Sequence, residues 1–149
     1  MSEGGTADHD FVVGDAFVES RIEDSPYYVV FHDDGETAYL YGLDARREEQ
    51  PILDDLHIYN VADMKDSVSK HHLRIVWPDS TTAALLINGY AHAMFDFDAP
   101  LAMCVDDFPP PSRNWDVASH AWDETAFQAA LPGVPSEWAY RRGRRPDSD

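Results

Sequence analysis

Short runs of β-branched, aromatic and other apolar residues, separated by Asp, Asn, Gly and Pro, recur through the first hundred positions, the mark of β-strands joined by turns. FVVGDAFV (11–18) reads as a first strand interrupted at Gly14-Asp15, where a bulge or break is expected. YYVVFH (27–32) and TAYLYG (37–42) flank Asp33-Asp34-Gly35-Glu36, and Asp-Gly supplies the positive φ angles of a tight hairpin. Pairing His32 with Thr37 sets Phe31 beside Ala38 and Val29 beside Leu40, with Val30–Tyr39 and Tyr28–Tyr41 on the other face. After a charged loop carrying Pro51, LHIYNV (56–61) resumes a strand, and the polar ADMKDSVSK (62–70) connects onward.

Residues 71–97 form the richest apolar stretch. Asn88-Gly89 between two apolar runs is a strong hairpin signal, pairing Ile87 with Tyr90, Leu85 with His92 and Ala83 with Met94. A two-residue loop at Asp79-Ser80 pairs Trp77 with Thr82, Ile75 with Ala84 and Leu73 with Leu86. In that register Leu73, Ile75, Trp77, Ala84, Leu86, Ala91, Ala93 and Phe95 share one apolar face, and a one-residue slip would exchange the faces. Residues 98–114, with Pro109-Pro110-Pro111, read as loop. DETAFQAAL (123–131) reads as a helix capped by Asp123 and stopped by Pro132-Gly133, with Phe127, Ala130 and Leu131 available to cover a sheet face. The pattern predicts a β-dominated α+β fold: an antiparallel meander sheet of about five to seven strands with one C-terminal helix. Residues 1–10 read as a flexible acidic arm, 11–138 as a single globular domain and 139–149 as a basic, frayed tail. The helix and loops, or a second copy in a homodimer, would cover the other face of the central strands.

Charge narrows the partners. The 149 residues carry 28 Asp+Glu against 11 Lys+Arg, a net of −17, and four of the basic residues lie in the last nine positions. Such a field repels phosphates, which disfavours nucleic acid, and steers basic proteins inward. Solubility or adaptation to a salty cytoplasm explains the same excess of Asp without any partner. One cysteine, Cys104, excludes an internal disulfide framework. The first residues lack a signal-peptide pattern and no apolar run spans a bilayer, so the expected location is the cytoplasm, with no membrane contact.

Candidate chemistry is sparse. In the register above Arg74, Leu85 and His92 form one row, with Asp96 farther along the His92 strand. An Arg74–His92–Asp96 patch can bind an anion or move a proton, although roughly 13 Å of strand separates Asp96 from His92. The plainer reading is a solvated face with incidental polar groups. The seven histidines show no metal-ligand spacing, and scattered Asp pairs are expected by chance among 28 acids, so no metal or cofactor is predicted. Cys104 sits beside two acids that oppose thiolate formation, and no nucleophile elbow or phosphate loop occurs. Asp54, Asp55, Asp106, Asp107 and Trp115 are the candidate partner-binding residues, exposed Trp being an interface anchor and buried Trp ordinary core.

The blocks AYLYGLD, PILDDLHIYNV, IVWPDSTTAALLINGYAHAMFDF and FPPPSRNW, spanning residues 28–115, together resemble a small bacterial family of unknown function. In size and acidity the chain is also similar to immunity proteins that neutralise a toxin, which implies a binding role. The leading expectation is a non-enzymatic protein-binding module with a basic partner. A small ligand-binding or enzymatic domain using the mixed sheet face is the first alternative. A housekeeping domain with salt-adapted acidity is the second.

Overall fold

The structure, a computed structural model, describes residues 5–64, 70–106 and 120–143. The described residues form β1 (Gly5–Val12), β2 (Ala16–Arg21), β3 (Tyr27–Asp33), β4 (Thr37–Asp44), β5 (Ile52–Asn60), β6 (Lys70–Asp79), β7 (Thr82–Ile87), β8 (Tyr90–Asp96) and β9 (Leu101–Cys104). A 3₁₀ turn covers Val61–Asp63, and the helices are α1 (Glu124–Ala130) and α2 (Glu137–Arg141). All strand ladders are antiparallel, in a five-stranded sheet ordered β1-β6-β7-β8-β9 and a four-stranded sheet ordered β2-β3-β4-β5. The strand-rich antiparallel architecture and the helix after Asp123 agree with the sequence pattern. The strands exceed the expected number and divide between two sheets. Alternation assigns faces to a strand; it does not say which sheet the strand joins.

The division begins at Gly14, whose φ of +105 turns the chain out of β1 and into β2 of the other sheet. FVVGDAFV is therefore two half-strands, joined by a bridge between Val12 and Asp15. Pairing with β6 also runs along Gly5–Val12, so strand structure starts within the stretch read as an acidic arm.

The main core lies between the sheets. Val29, Phe31, Leu40 and Leu56 of one and Leu73, Ile75, Trp77, Leu85 and Phe95 of the other are fully buried. Each contributes roughly 1.5–3 kcal/mol on burial. Trp77 Nε1 donates to Ser20 Oγ at 2.9 Å, satisfying the one polar atom of the ring across the sheet interface. Gly42 marks the closest approach: a Cβ there would stand 2.7 Å from the Phe95 ring. Asp33 is buried and accepts hydrogen bonds from the Gly14 and Gly35 amides and the Tyr59 hydroxyl, tying two turns to β5.

Three hairpin registers differ from the expected ones. In β3–β4, Phe31 pairs with Leu40 and His32 with Tyr39, two residues away from expectation, so every side chain keeps its face. In β6–β7, Ile75 pairs with Leu85 and Leu73 with Ile87, because a bulge lies between Val76 and Asp79. In β7–β8, Ile87 pairs with Tyr90 as expected, but a second bulge sets Leu85 opposite Ala93 and Ala83 opposite Phe95. The face shared with Leu73, Ile75 and Trp77 thus carries Ala83, Leu85, Ile87, Ala93 and Phe95. Ala84, Leu86 and Ala91 turn to the other side. The cause is that all six β7 residues are buried, so hydrophobicity cannot tell one face from the other.

That other side is a second core. Phe127 and Leu131 pack there on Ala84, Leu86, Ala91, Met94 and Met103, as expected for the helix. Asp123 caps α1 by accepting from the Ala126 amide. Ser136 caps α2 in the same way, accepting from Ala139, and its hydroxyl donates to Glu124 at 2.7 Å. No helix among the described residues is long and apolar enough to cross a membrane.

Candidate binding cleft and acidic aromatic face

The bulge in β8 falls at His92, the extra residue between the Leu86–Ala91 and Leu85–Ala93 pairs. A bulge re-aims a side chain and interrupts the ladder. On the opposite side of β8, where pairing with β9 stops at Ala93, the edge is taken by the segment before α2, with the Ala91 amide donating to the Pro135 carbonyl at 3.0 Å. Helix α2 therefore starts beside the bulge and closes one side of a cleft of about 400 Å³. Tyr59, His71, Tyr90, His92, Asp106 and the α2 residues Glu137, Tyr140 and Arg141 line it, over Ile58 and Ile87.

Charge in the cleft is tightly organised. Arg141 donates through Nη1 to Asp106 Oδ1 at 2.7 Å and through Nε to Glu137 Oε2 at 3.0 Å. The Asp106 bond, reinforced by Glu137, holds the guanidinium above its ordinary pKa. His92 Nε2 lies 3.9 Å from Glu137 Oε1, and the His92 side chain is 16% exposed. Burial pushes His92 down to about 4, opposed by the charges of Glu137 and Asp106 and assisted by Arg141. The Tyr90 and Tyr140 rings stand 4.9 Å apart, inclined by 58°.

The sequence-predicted residues go to separate places. Arg74 lies on an exposed face, its Nε donating to Asp8 at 2.7 Å beside His72. In its row it pairs with Leu86 rather than Leu85, so the expected Arg74–Leu85–His92 row is not formed. Asp96 accepts from the Asp98 and Ala99 amides and closes a turn. Of the three, His92 alone faces the cleft, so the trio does not assemble. Asp54 is a correction: its side chain is 0% exposed and accepts from His120 Nε2 at 2.8 Å, which removes it from the surface. Asp55 is half-buried, and its carboxyl is pushed up by burial and then by the charge of Asp54. Asp106 joins the cleft through Arg141. Asp107 and Trp115 lie outside the described residues. Tyr140 and Arg141 were missed because the chain from 139 onward reads as a frayed tail, and Glu137 because no second helix was read after Pro135. The usable signal was Ser136 as a cap followed by the Glu137–Arg141 pair at i,i+4.

A second surface lies on the outer face of the four-stranded sheet. Phe17, His32, Tyr39 and His57 pair successively across all four strands. Phe17 and His32 stand 5.3 Å apart and Tyr39 and His57 5.1 Å, as ring centroids. Phe17, on the edge strand, is 67% exposed. Glu19, Asp34 and Glu36 are exposed around this row. Burial, with the charges of Asp55 and Asp34, holds the Tyr39 and Tyr41 hydroxyls above their ordinary pKa.

A cavity of about 500 Å³ opens between the edges of β1 and β2, but its Ser20 hydroxyl already serves Trp77. No group of three or more His, Cys, Asp or Glu among the described residues is placed to hold a metal ion. Cys104 is buried, its thiol donating to the Asp106 carbonyl at 2.8 Å.

A protein of Haemophilus influenzae, described as "Uncharacterized protein", is 49% identical over 90 residues, covering 57% of this chain and 53% of that protein. The chain thus spans about half the length of the curated relative it matches. No solved structure matches the chain. The model of one bacterial family matches residues 11–131, which takes in His92 and Asp106 and ends before α2. The chain belongs to that family, described as "Uncharacterized protein conserved in bacteria (DUF2251)".

Proposed function

We propose that this protein is a non-enzymatic cytoplasmic binding module that takes a basic protein partner on the outer face of its four-stranded sheet. Its most specific form is an immunity-type role, in which the partner is a toxin held inactive. The observation that carries the reading is the Phe17–His32–Tyr39–His57 row, ending in an exposed phenylalanine and rimmed by carboxylates. An exposed large aromatic in a polar surround is the composition of an interface anchor. The net charge of −17 supplies long-range attraction for a basic surface. The Arg74–His92–Asp96 alternative loses its support because the three side chains serve separate places.

The test is affinity capture from the native host with the wild-type chain and with Phe17→Ser. One near-stoichiometric basic protein, released as salt rises and lost with Phe17→Ser, is the expected result. Retention unchanged by Phe17→Ser, or an empty capture at low salt, overturns the assignment of this face. For the immunity form, the captured partner expressed alone arrests growth and co-expression of this chain restores it.

A further inference from the structure

The cleft beside α2 carries an assignment of its own, independent of the outer face just described. Its composition selects a ligand by exclusion and by fit. Arg141 is already bonded to both Asp106 and Glu137, so those two carboxylates and one guanidinium leave a net negative charge. An entering anion therefore meets uncompensated carboxylate. A cation meets two carboxylates and two tyrosine rings, and aromatic faces attract cations as well.

His92 narrows the choice. No hydrogen bond to either of its ring nitrogens is formed among the described residues, although the side chain is only 16% exposed. Those nitrogens are not sealed inside the protein; they open on the cleft, within reach of what enters it. Nε2 and Glu137 Oε1 stand 3.9 Å apart, too far to bond each other. One donor atom about 2.8 Å from each would serve both. A primary ammonium has three N–H donors and a compact charge that fits this span; a quaternary ammonium has no donor to offer.

We propose that the cleft binds a primary ammonium group, held between His92 Nε2 and Glu137 Oε1, with its aliphatic stem against Tyr90 and Tyr140. In the Nδ1-protonated tautomer Nε2 accepts one N–H, and Glu137 accepts a second while keeping its bond to Arg141. Burial keeps the His92 ring neutral at physiological pH, so the accepting lone pair is present there. The free volume of about 400 Å³ admits a chain of several carbons behind the ammonium.

The test uses the full chain at pH 7.5 and follows the His92 and Tyr90 ring signals by NMR as n-butylammonium chloride is added. The controls, at equal ionic strength, are tetramethylammonium chloride and sodium butyrate. Saturable shifts with a Kd of about 1 mM are expected for butylammonium, about tenfold weaker binding for tetramethylammonium, and no shift with butyrate. Glu137→Gln weakens butylammonium about tenfold with the backbone spectrum unchanged. If that variant does not fold, the wild-type selectivity series decides the matter alone. Absence of saturation up to about 50 mM, or butyrate or tetramethylammonium binding as tightly, overturns the proposal. Nα-acetyl-lysine methylamide separates the sources. Tighter binding than butylammonium identifies a lysine side chain of a protein, and weaker binding identifies a free amine; either outcome upholds the ammonium site.

Discussion

Asp54 and Asp55 are neighbours in sequence with opposite surroundings. Asp54 is enclosed with His120, a buried pair that costs desolvation and holds only while both members remain. Asp54→Ala should lower stability by about 3–5 kcal/mol in urea unfolding, by leaving His120 buried without its partner. The double variant Asp54→Val, His120→Leu should recover most of that loss; no recovery would show that the pair is net stabilising. Gly42 is fixed by contact rather than by backbone conformation, and Gly42→Ala should cost about 1–3 kcal/mol by forcing the Phe95 ring aside. Phe95→Leu in the same background should relieve part of that strain. His92 gives a pH signature. Its folded pKa, about 4, lies below the ordinary 6.5, so between those values the unfolded chain takes up a proton that the folded chain refuses. Stability therefore falls as pH falls below about 6.5, by roughly 2 kcal/mol between pH 7 and pH 5. His92→Phe should remove that component from the pH dependence of the urea midpoint, and an identical slope in both proteins would place His92 in a wetter setting.

At the scale of elements, two bulges carry most of what is distinctive. The one before Asp79 reverses the facing of β7 relative to the simplest hairpin, and the one at His92 lies beside the stretch of β8 that β9 leaves unpaired and the start of α2 occupies. Helix α1 then covers the second face of the five-stranded sheet through Phe127 and Leu131. Phe127→Ala should cost about 3–5 kcal/mol, and Leu86→Ala about 2–5 kcal/mol at the same contact. Thermal unfolding of the two single variants and the double variant should show coupling, since contacting residues do not add. Strict additivity would mean that α1 does not rest on Leu86.

At the scale of the whole molecule, charge acts on encounter more than on fold. Glu19 and Glu36 are exposed near the aromatic row, and Glu19→Gln with Glu36→Gln should change stability by less than about 0.5 kcal/mol. The same pair of changes should slow association with a basic partner and flatten its salt dependence, as read by stopped-flow or surface-binding kinetics. An unchanged on-rate would place the docking face elsewhere.

The chain's own pattern was enough for the antiparallel strands, the turns at Gly35 and Asn88-Gly89, and α1 with its cap, because each depends on residues a few positions apart. It also supplied the facing of β3 and β4, since a two-residue shift in register leaves facing unchanged. The division into two sheets, the reversed facing of β7 and the burial of Asp54 were decided only in three dimensions. A strand buried on both sides carries no alternation, and a carboxylate reads as exposed until a histidine 66 residues away is brought against it. The cleft belongs to the same class. Its His92, Asp106, Glu137 and Arg141 come from a strand bulge, a strand end and a five-residue helix, and their proximity exists only once α2 has paired its start with the free edge of β8.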